Sequence, residues 1–318
     1  MSGAAWTNVK SSADASWGSA NLSDQNSHHP QYALAGALVF TRTGQASYRT
    51  KTEDAIMSVI GTENNPDKDC GSSPKGARSL SLGRNLAAYV VAADLIDLKL
   101  LDAAKDQSFR AWLQAVIRRT NCEGRTLISC HEIRPNNWGT MCGASRIAAD
   151  IYLGDSVDLD RAAKVFKGYL GDRTSHAGFT FQSVSLSWMC DPTNPRPINP
   201  AGCVKNGHDL SGADVDDVSR GGAYTWPPNA TNYSWGGFAA AVAQAEMLSR
   251  AGYPAYDWES QAIRRGMNFL ETVMASSAGN PTDWIPWLVN YHYGSNFQVK
   301  TPTGWGRLMG WTDWSHAR

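Results

Sequence analysis

The sequence predicts an all-α fold, an α/α toroid (an incomplete α/α barrel) built from antiparallel helix hairpins. Two observations carry this expectation: helical apolar spacing returns in paired segments along most of the chain, and strand signals are few. A third concerns extent. No break in composition divides the 318 residues, so residues 1–318 read as a single domain, with 1–30 as a polar arm laid on its periphery.

From Gln31, YALAGALVFTRTG and EDAIMSVIGTE form a first helical hairpin about a turn at Gly44, and residues 62–77 follow as a loop. LGRNLAAYVVAADLIDLKL sets Leu86, Val90, Ala93 and Ile96 at helical spacing and pairs with DQSFRAWLQAVIRRT. The third pair opens in HEIRPNNWGTMCGASRIAADIYLGD, residues 131–155. There Pro135 disfavours helix at Arg134, an Asn caps the first free N–H groups, and Trp138, Met141, Ile147 and Ile151 supply an apolar stripe. Gly154 is the expected left-handed stop. DLDRAAKVFKGYLG is its partner, and SWGGFAAAVAQAEMLSRAGY with DWESQAIRRGMNFLETVMA makes a fourth hairpin. Residues 173–233 lack a sustained period and read as long surface connections, which in a compact domain are usually functional. The aromatic tail, DWIPWLVNYHYGSNF and GWGRLMGWTDWSHAR, is expected to close over one end.

Lys plus Arg equals Asp plus Glu at 29 each. No global field therefore steers the chain to nucleic acid or an anionic membrane, and any anionic ligand must be met by local groups. Thirteen Trp and 11 Tyr supply flat amphipathic rings suited to packing and to sugar stacking. The six Cys show no CxxC pair, so disulfides are expected rather than a zinc site: Cys122–Cys130, Cys190–Cys203 and, by subtraction, Cys70–Cys142. Disulfides place maturation in an oxidising compartment, and with no signal or membrane-length apolar run in the chain the reading is a secreted, mature monomer. Nothing in the sequence requires a metal or cofactor.

Asn136 and Asn137 stand at the mouth of a helix, where N–H donors and the helix dipole both favour an anion. The stretches NNWGTMCGASRIAADIYLGD, RGGAYTWPPNATNYSWGGFAAAVAQAEMLSRAGY, VNYHYGSNF and GWTDW resemble the alginate lyase-like polysaccharide lyases, most closely polysaccharide lyase family 38. The similarity spans roughly residues 75–315. It implies an α/α toroid and β-elimination of a uronic-acid polymer such as glucuronan or alginate. NNW is more remotely similar to the NNH motif of family 5 alginate lyases, with Trp138 in the place of that motif's His.

Such chemistry needs a neutralised carboxylate, a base for the C5 proton and an acid for the departing O4. Asn136 and Asn137 are the expected neutralisers. In β-linked mannuronate and glucuronate the C5 proton and O4 lie on the same side of the ring, so one residue can serve as base and then acid. Tyr233, matching the family segment in which a Tyr precedes a helix, is that candidate. With an ordinary pKa of about 10 it needs a nearby cation, and Arg220 could supply the charge or grip a uronate. Arg84 and Asn85 are expected to meet substrate at the same end. His131, His176, His208 and His292 are bases by type, with His292 ranked first and its neighbours Tyr291 and Tyr293 beside it at the substrate. Trp138, Trp226 and Trp311 are candidates for stacking on sugar faces.

Two other readings are open. Toroids also host glycosidases with paired carboxylates, for which Asp214, Asp216 and Asp217 offer a cluster, though in a polar loop where charge usually means solvation. A non-catalytic carbohydrate-binding protein would keep the aromatics and turn over nothing.

Overall fold

Helix dominates the computed structural model, which describes residues 3–70, 76–274 and 281–317. Within these residues the one sheet is a short antiparallel hairpin, β1 (Val204–Lys205) with β2 (His208–Asp209). The first hairpin is α2 (His29–Thr43) and α3 (Ala46–Ser58), turned by Gly44 at φ 69°. Next come α4 (Ser79–Leu95), the single turn α5 (Leu98–Leu101) and α6 (Ala103–Arg118), whose N-cap Asp102 accepts from two backbone N–H groups. A short α7 (Leu127–Ile133) precedes α8 (Asn137–Leu153), which is capped by Asn136 and stopped by left-handed Gly154. The chain continues through α9 (Ser156–Leu170), the turn α10 (Val215–Val218), α11 (Asn232–Arg250), α12 (Trp258–Val273), α13 (Ile285–Tyr293) and α14 (Thr312–Ser315).

The core is organised around α8, which packs against α4, α11, α7 and α9. Close approach to α4 depends on Gly83, where a Cβ would fall 2.8 Å from the Cys142 nitrogen. Ser145 locks the pair, its hydroxyl donating to the Gly83 carbonyl at 2.9 Å and accepting from the Ala87 N–H at 3.0 Å. On the other flank Gly237 lies against Asn137, and Gln244 Nε2 donates to the Thr140 carbonyl at 2.9 Å. These registers make α4, α8 and α11 parallel. His29 on α2 meets the Tyr89 hydroxyl on α4 at 2.7 Å, while Leu34 and Leu38 face Val90 and Val91 further along, so α2 runs the same way. Four helices thus begin at one end of the molecule. Their dipoles add positive potential there.

Several expectations are corrected. Residues 3–14 are not a patternless arm but a helix, α1 (Gly3–Asp14), buried against α2 through Ala5, Val9 and Ala13. The long helix expected through Leu100 breaks after Leu95, where Asp97 takes φ 52°. Ile151, expected on the apolar stripe, is exposed. Of the loop expected over 62–77, residues 71–75 lie outside the described residues.

Of the expected disulfides, Cys190–Cys203 is formed, but Cys70 joins Cys122, and Cys130 and Cys142 are buried thiols. Cys130 is buried, its thiol against the Trp138 carbonyl and the Cys142 thiol. Two disulfides are the mark of an oxidising compartment. Among the described residues no helix is long and apolar enough to cross a membrane.

Candidate functional site

Asn136 and Asn137 are both buried. Asn136 Oδ1 accepts from the Trp138 N–H at 3.1 Å, and its Nδ2 donates to Asp216 Oδ2 at 2.8 Å. The anion at the mouth of α8 is therefore a carboxylate of the protein itself. Asp216 also accepts from the Ser185 hydroxyl, and Tyr169 donates to Asp214 Oδ2 at 2.7 Å. Asp217 is fully enclosed where α11 crosses α8: a Cβ on Gly237 would meet its Oδ2 at 2.1 Å.

The three acids expected to be solvated are thus core residues, a correction with a physical consequence. Burial, with Asp216 beside it, raises Asp214 to about 7, and burial with both neighbouring carboxyls raises Asp217 well above the usual range. Asp214 and Asp217 face one another, so one proton between them relieves the repulsion that two charges would feel. Acids closed off in this way are not presented to a sugar chain.

The open face of the same end is cationic. Tyr233, in the first turn of α11, is 40% exposed, and the Arg220 guanidinium carbon lies 4.6 Å from its ring centre. Arg84, in α4, touches Met141 Sδ through Nε at 3.3 Å and Gln25 Oε1 through Nη1 at 3.2 Å. Met141 also packs beneath Gly236, one turn after Tyr233, and the Tyr233 side chain is close enough to act on the Arg84 charge. Burial and the charges of Arg307 and Arg78 push Arg84 down to about 9. Its guanidinium still carries a positive charge at neutral pH.

Trp138 stands between two more cations, with Arg134 4.8 Å and Arg78 5.7 Å from its ring centre. Asn85 is buried and donates to the Asp24 carbonyl at 2.8 Å, tying residues 24–28 to α4. The structure therefore gathers Tyr233, Arg220, Arg84, Asn85 and Trp138 at the end where the parallel helices start.

Of the remaining candidates, His292, Tyr291 and Tyr293 lie elsewhere. His292 hydrogen-bonds Glu246 Oε2 at 2.7 Å and stacks on Tyr256. Glu246 is about 20 Å along α11 from Tyr233 at 1.5 Å per residue, so His292, Tyr291 and Tyr293 belong to the opposite end. Tyr293 donates to the Tyr256 carbonyl, and Tyr291 meets His292 and His316 edge-on. Trp311 is 0% exposed and packs in the core, so its ring is not open to a sugar. Trp226 stacks on His208 at 4.2 Å. His131 is buried against Arg146, and His176 Nε2 meets the Glu132 carbonyl oxygen at 2.7 Å.

Sequence reasoning missed Arg307, Trp305, His28 and Gln25, which share a pocket of about 240 Å³ with Arg84 and Asn85. Their one legible signal was GWGR, residues 304–307, where Gly and Trp precede an Arg. Among the described residues no group of three His, Cys, Asp or Glu is placed to hold a metal ion. No protein-family model, curated protein or solved structure matches the chain.

Proposed function

We propose that the protein is a secreted polysaccharide lyase that cleaves a β-1,4-linked polyuronate, glucuronan or mannuronate-type alginate, by β-elimination. In this reading the row of parallel helices α2, α4, α8 and α11 is the inner wall of an incomplete α/α toroid, and substrate lies across its N-terminal end. The observation that carries the reading is the grouping of an exposed phenol with guanidiniums that have no acidic partner among the described residues: Tyr233 under Arg220 and beside Arg84.

A phenol acts as a base only where positive charge favours its phenolate. Arg220 and Arg84 are the cations at hand. Tyr233 Oη then takes the C5 proton, the electron pair forms the C4=C5 double bond, and the C4–O4 bond breaks. The phenol returns its proton to O4 on the same face of the ring. Charge that develops on the uronate carboxylate during proton removal is met by guanidinium N–H donors fixed in place beforehand. Arg84 takes the neutralising part expected of Asn136, whose amide is engaged with Asp216.

The glycosidase reading needs two carboxyls facing a cleft, and burial of Asp214, Asp216 and Asp217 weighs against it. The test is a panel of glucuronan, polymannuronate and polyguluronate followed by ultraviolet absorbance of the unsaturated product. Absorbance should rise with at least one of the first two. Saturated reducing ends without absorbance would replace the lyase by a hydrolase, and preferred cleavage of polyguluronate would remove the single-Tyr mechanism.

A further inference from the structure

Two arginine environments contrast: Arg146 is fully buried, whereas Arg84 and Arg307 are half-buried. Arg146 is surrounded by acids: Asp158 at 2.5 Å, Glu132 at 3.0 Å and Asp150 at 3.9 Å. Although burial alone would lower it, these carboxylates hold its pKa above the ordinary value. Arg84 and Arg307 have no acidic partner among the described residues, and both are lowered, Arg307 by burial and Arg84 by burial and by Arg307 itself. Asp24 acts on His28 instead, and one of its carboxylate oxygens accepts from the Asn26 N–H at 2.9 Å. Two like charges held in one pocket and partly shielded from water are costly unless an anion completes the site.

We propose that the pocket between residues 25–31 and Trp305–Arg307 seats the carboxylate of one uronate residue, held by Arg84 and Arg307. Its volume, about 240 Å³, suits one sugar unit. The planar fork of each guanidinium matches a carboxylate. One wall is aromatic, with the Trp305 and His28 ring centres 3.9 Å apart, which offers a flat apolar surface to the sugar ring. Burial and the Arg307 charge lower the His28 pKa, so near neutral pH its imidazole adds a neutral hydrogen-bonding group rather than a third cation. Gln25, fixed by Arg84, and Asn85 supply amides for hydroxyls. The sugar part of this inference rests on the lyase reading. The oxyanion part does not.

Calorimetric titration of the full chain with D-glucuronate, D-glucose and inorganic phosphate tests it. Glucuronate should bind, with affinity falling tenfold or more in Arg307→Gln, while the unfolding midpoint of that variant stays level or rises because an uncompensated charge has gone. Arg307→Lys, which keeps the charge and loses the fork, should fall between the two and serves where Arg307→Gln does not fold. No binding of glucuronate to the parent, equal binding in the variants, or glucose or phosphate binding as tightly as glucuronate would overturn the proposal. The same preparations are assayed on glucuronan and polymannuronate: binding without unsaturated product from either would defeat the lyase reading and leave the pocket standing. Product formed with binding and KM unchanged in the variants would do the reverse.

Discussion

Asn136 bridges the first turn of α8 and the buried acid cluster, its oxygen on the Trp138 N–H and its nitrogen 2.8 Å from Asp216 Oδ2. Both halves of the amide are engaged. The residue is a helix cap whose second function is to hold a buried carboxylate, and the end of α11 packs on the result. Asn136→Ala should therefore act on stability. Losing a hydrogen bond to a charged group costs about 1.5–3 kcal/mol, and losing the cap roughly 1 kcal/mol more. Urea denaturation measures this. Unchanged stability together with lost turnover would instead put the amide on the substrate.

The acid cluster gives folding a pH dependence of definite sign. The folded pKa of Asp214, about 7, and that of Asp217 lie above the unfolded carboxyl value of about 4. The folded state therefore binds more protons in that interval, and the stability it gains is present below pH about 4 and lost as pH rises toward 7 and beyond. Each such carboxyl contributes a slope of at most about 1.4 kcal/mol per pH unit. Glu246 opposes this only at acid pH: burial raises it, but the hydrogen bond from His292 and the charge of Arg250 outweigh burial and bring it to about 2. Its contribution is full above pH about 4.5 and fades as pH falls through 2. Histidines lowered by burial, His29, His131 and His316, oppose the effect of the acid cluster below pH about 6.5. The unfolding midpoint should therefore decline between pH about 6.5 and about 8, and Asp217→Asn, a neutral isostere, should flatten that decline. An equal slope in parent and variant would show that Asp217 is charged in the fold.

Much of this architecture was legible in the sequence, and the omissions have physical causes. The apolar stripe of α4, the Asn cap and Gly154 stop of α8, and the Gly44 turn are local signals, readable within one helix. The stripe of α1 was missed because Ala5, Val9 and Ala13 are small and widely spaced. Burial of Asp214, Asp216 and Asp217 depends on partners from distant segments, Tyr169, Ser185 and Asn136, and no local pattern records them. The arginine pocket was half visible. Arg84 and Asn85 were read at the start of a helix, whereas Arg307 and His28 reach them only through the fold.

Cysteine usage gives a count that can be measured. Under denaturing, non-reducing conditions two thiols per chain should react with maleimide, and peptide mapping should find them at Cys130 and Cys142, with Cys70 linked to Cys122 and Cys190 to Cys203. A Cys122–Cys130 linkage would contradict the packing of α7 on α8, which turns Cys130 into the core.

The central claim is that Tyr233 moves both protons of the elimination, and one substitution reaches it directly. Tyr233 is exposed at the first turn of α11, so Tyr233→Phe removes a hydroxyl with little effect on folding. Glucuronan or polymannuronate is incubated with parent and variant, and ultraviolet absorbance of the C4=C5 product is followed while binding of a short oligouronate is titrated in parallel. General acid–base groups contribute typically about 10²–10⁴-fold. The account predicts a loss of kcat of at least that order in the variant with oligouronate affinity retained. Full turnover by Tyr233→Phe would contradict it.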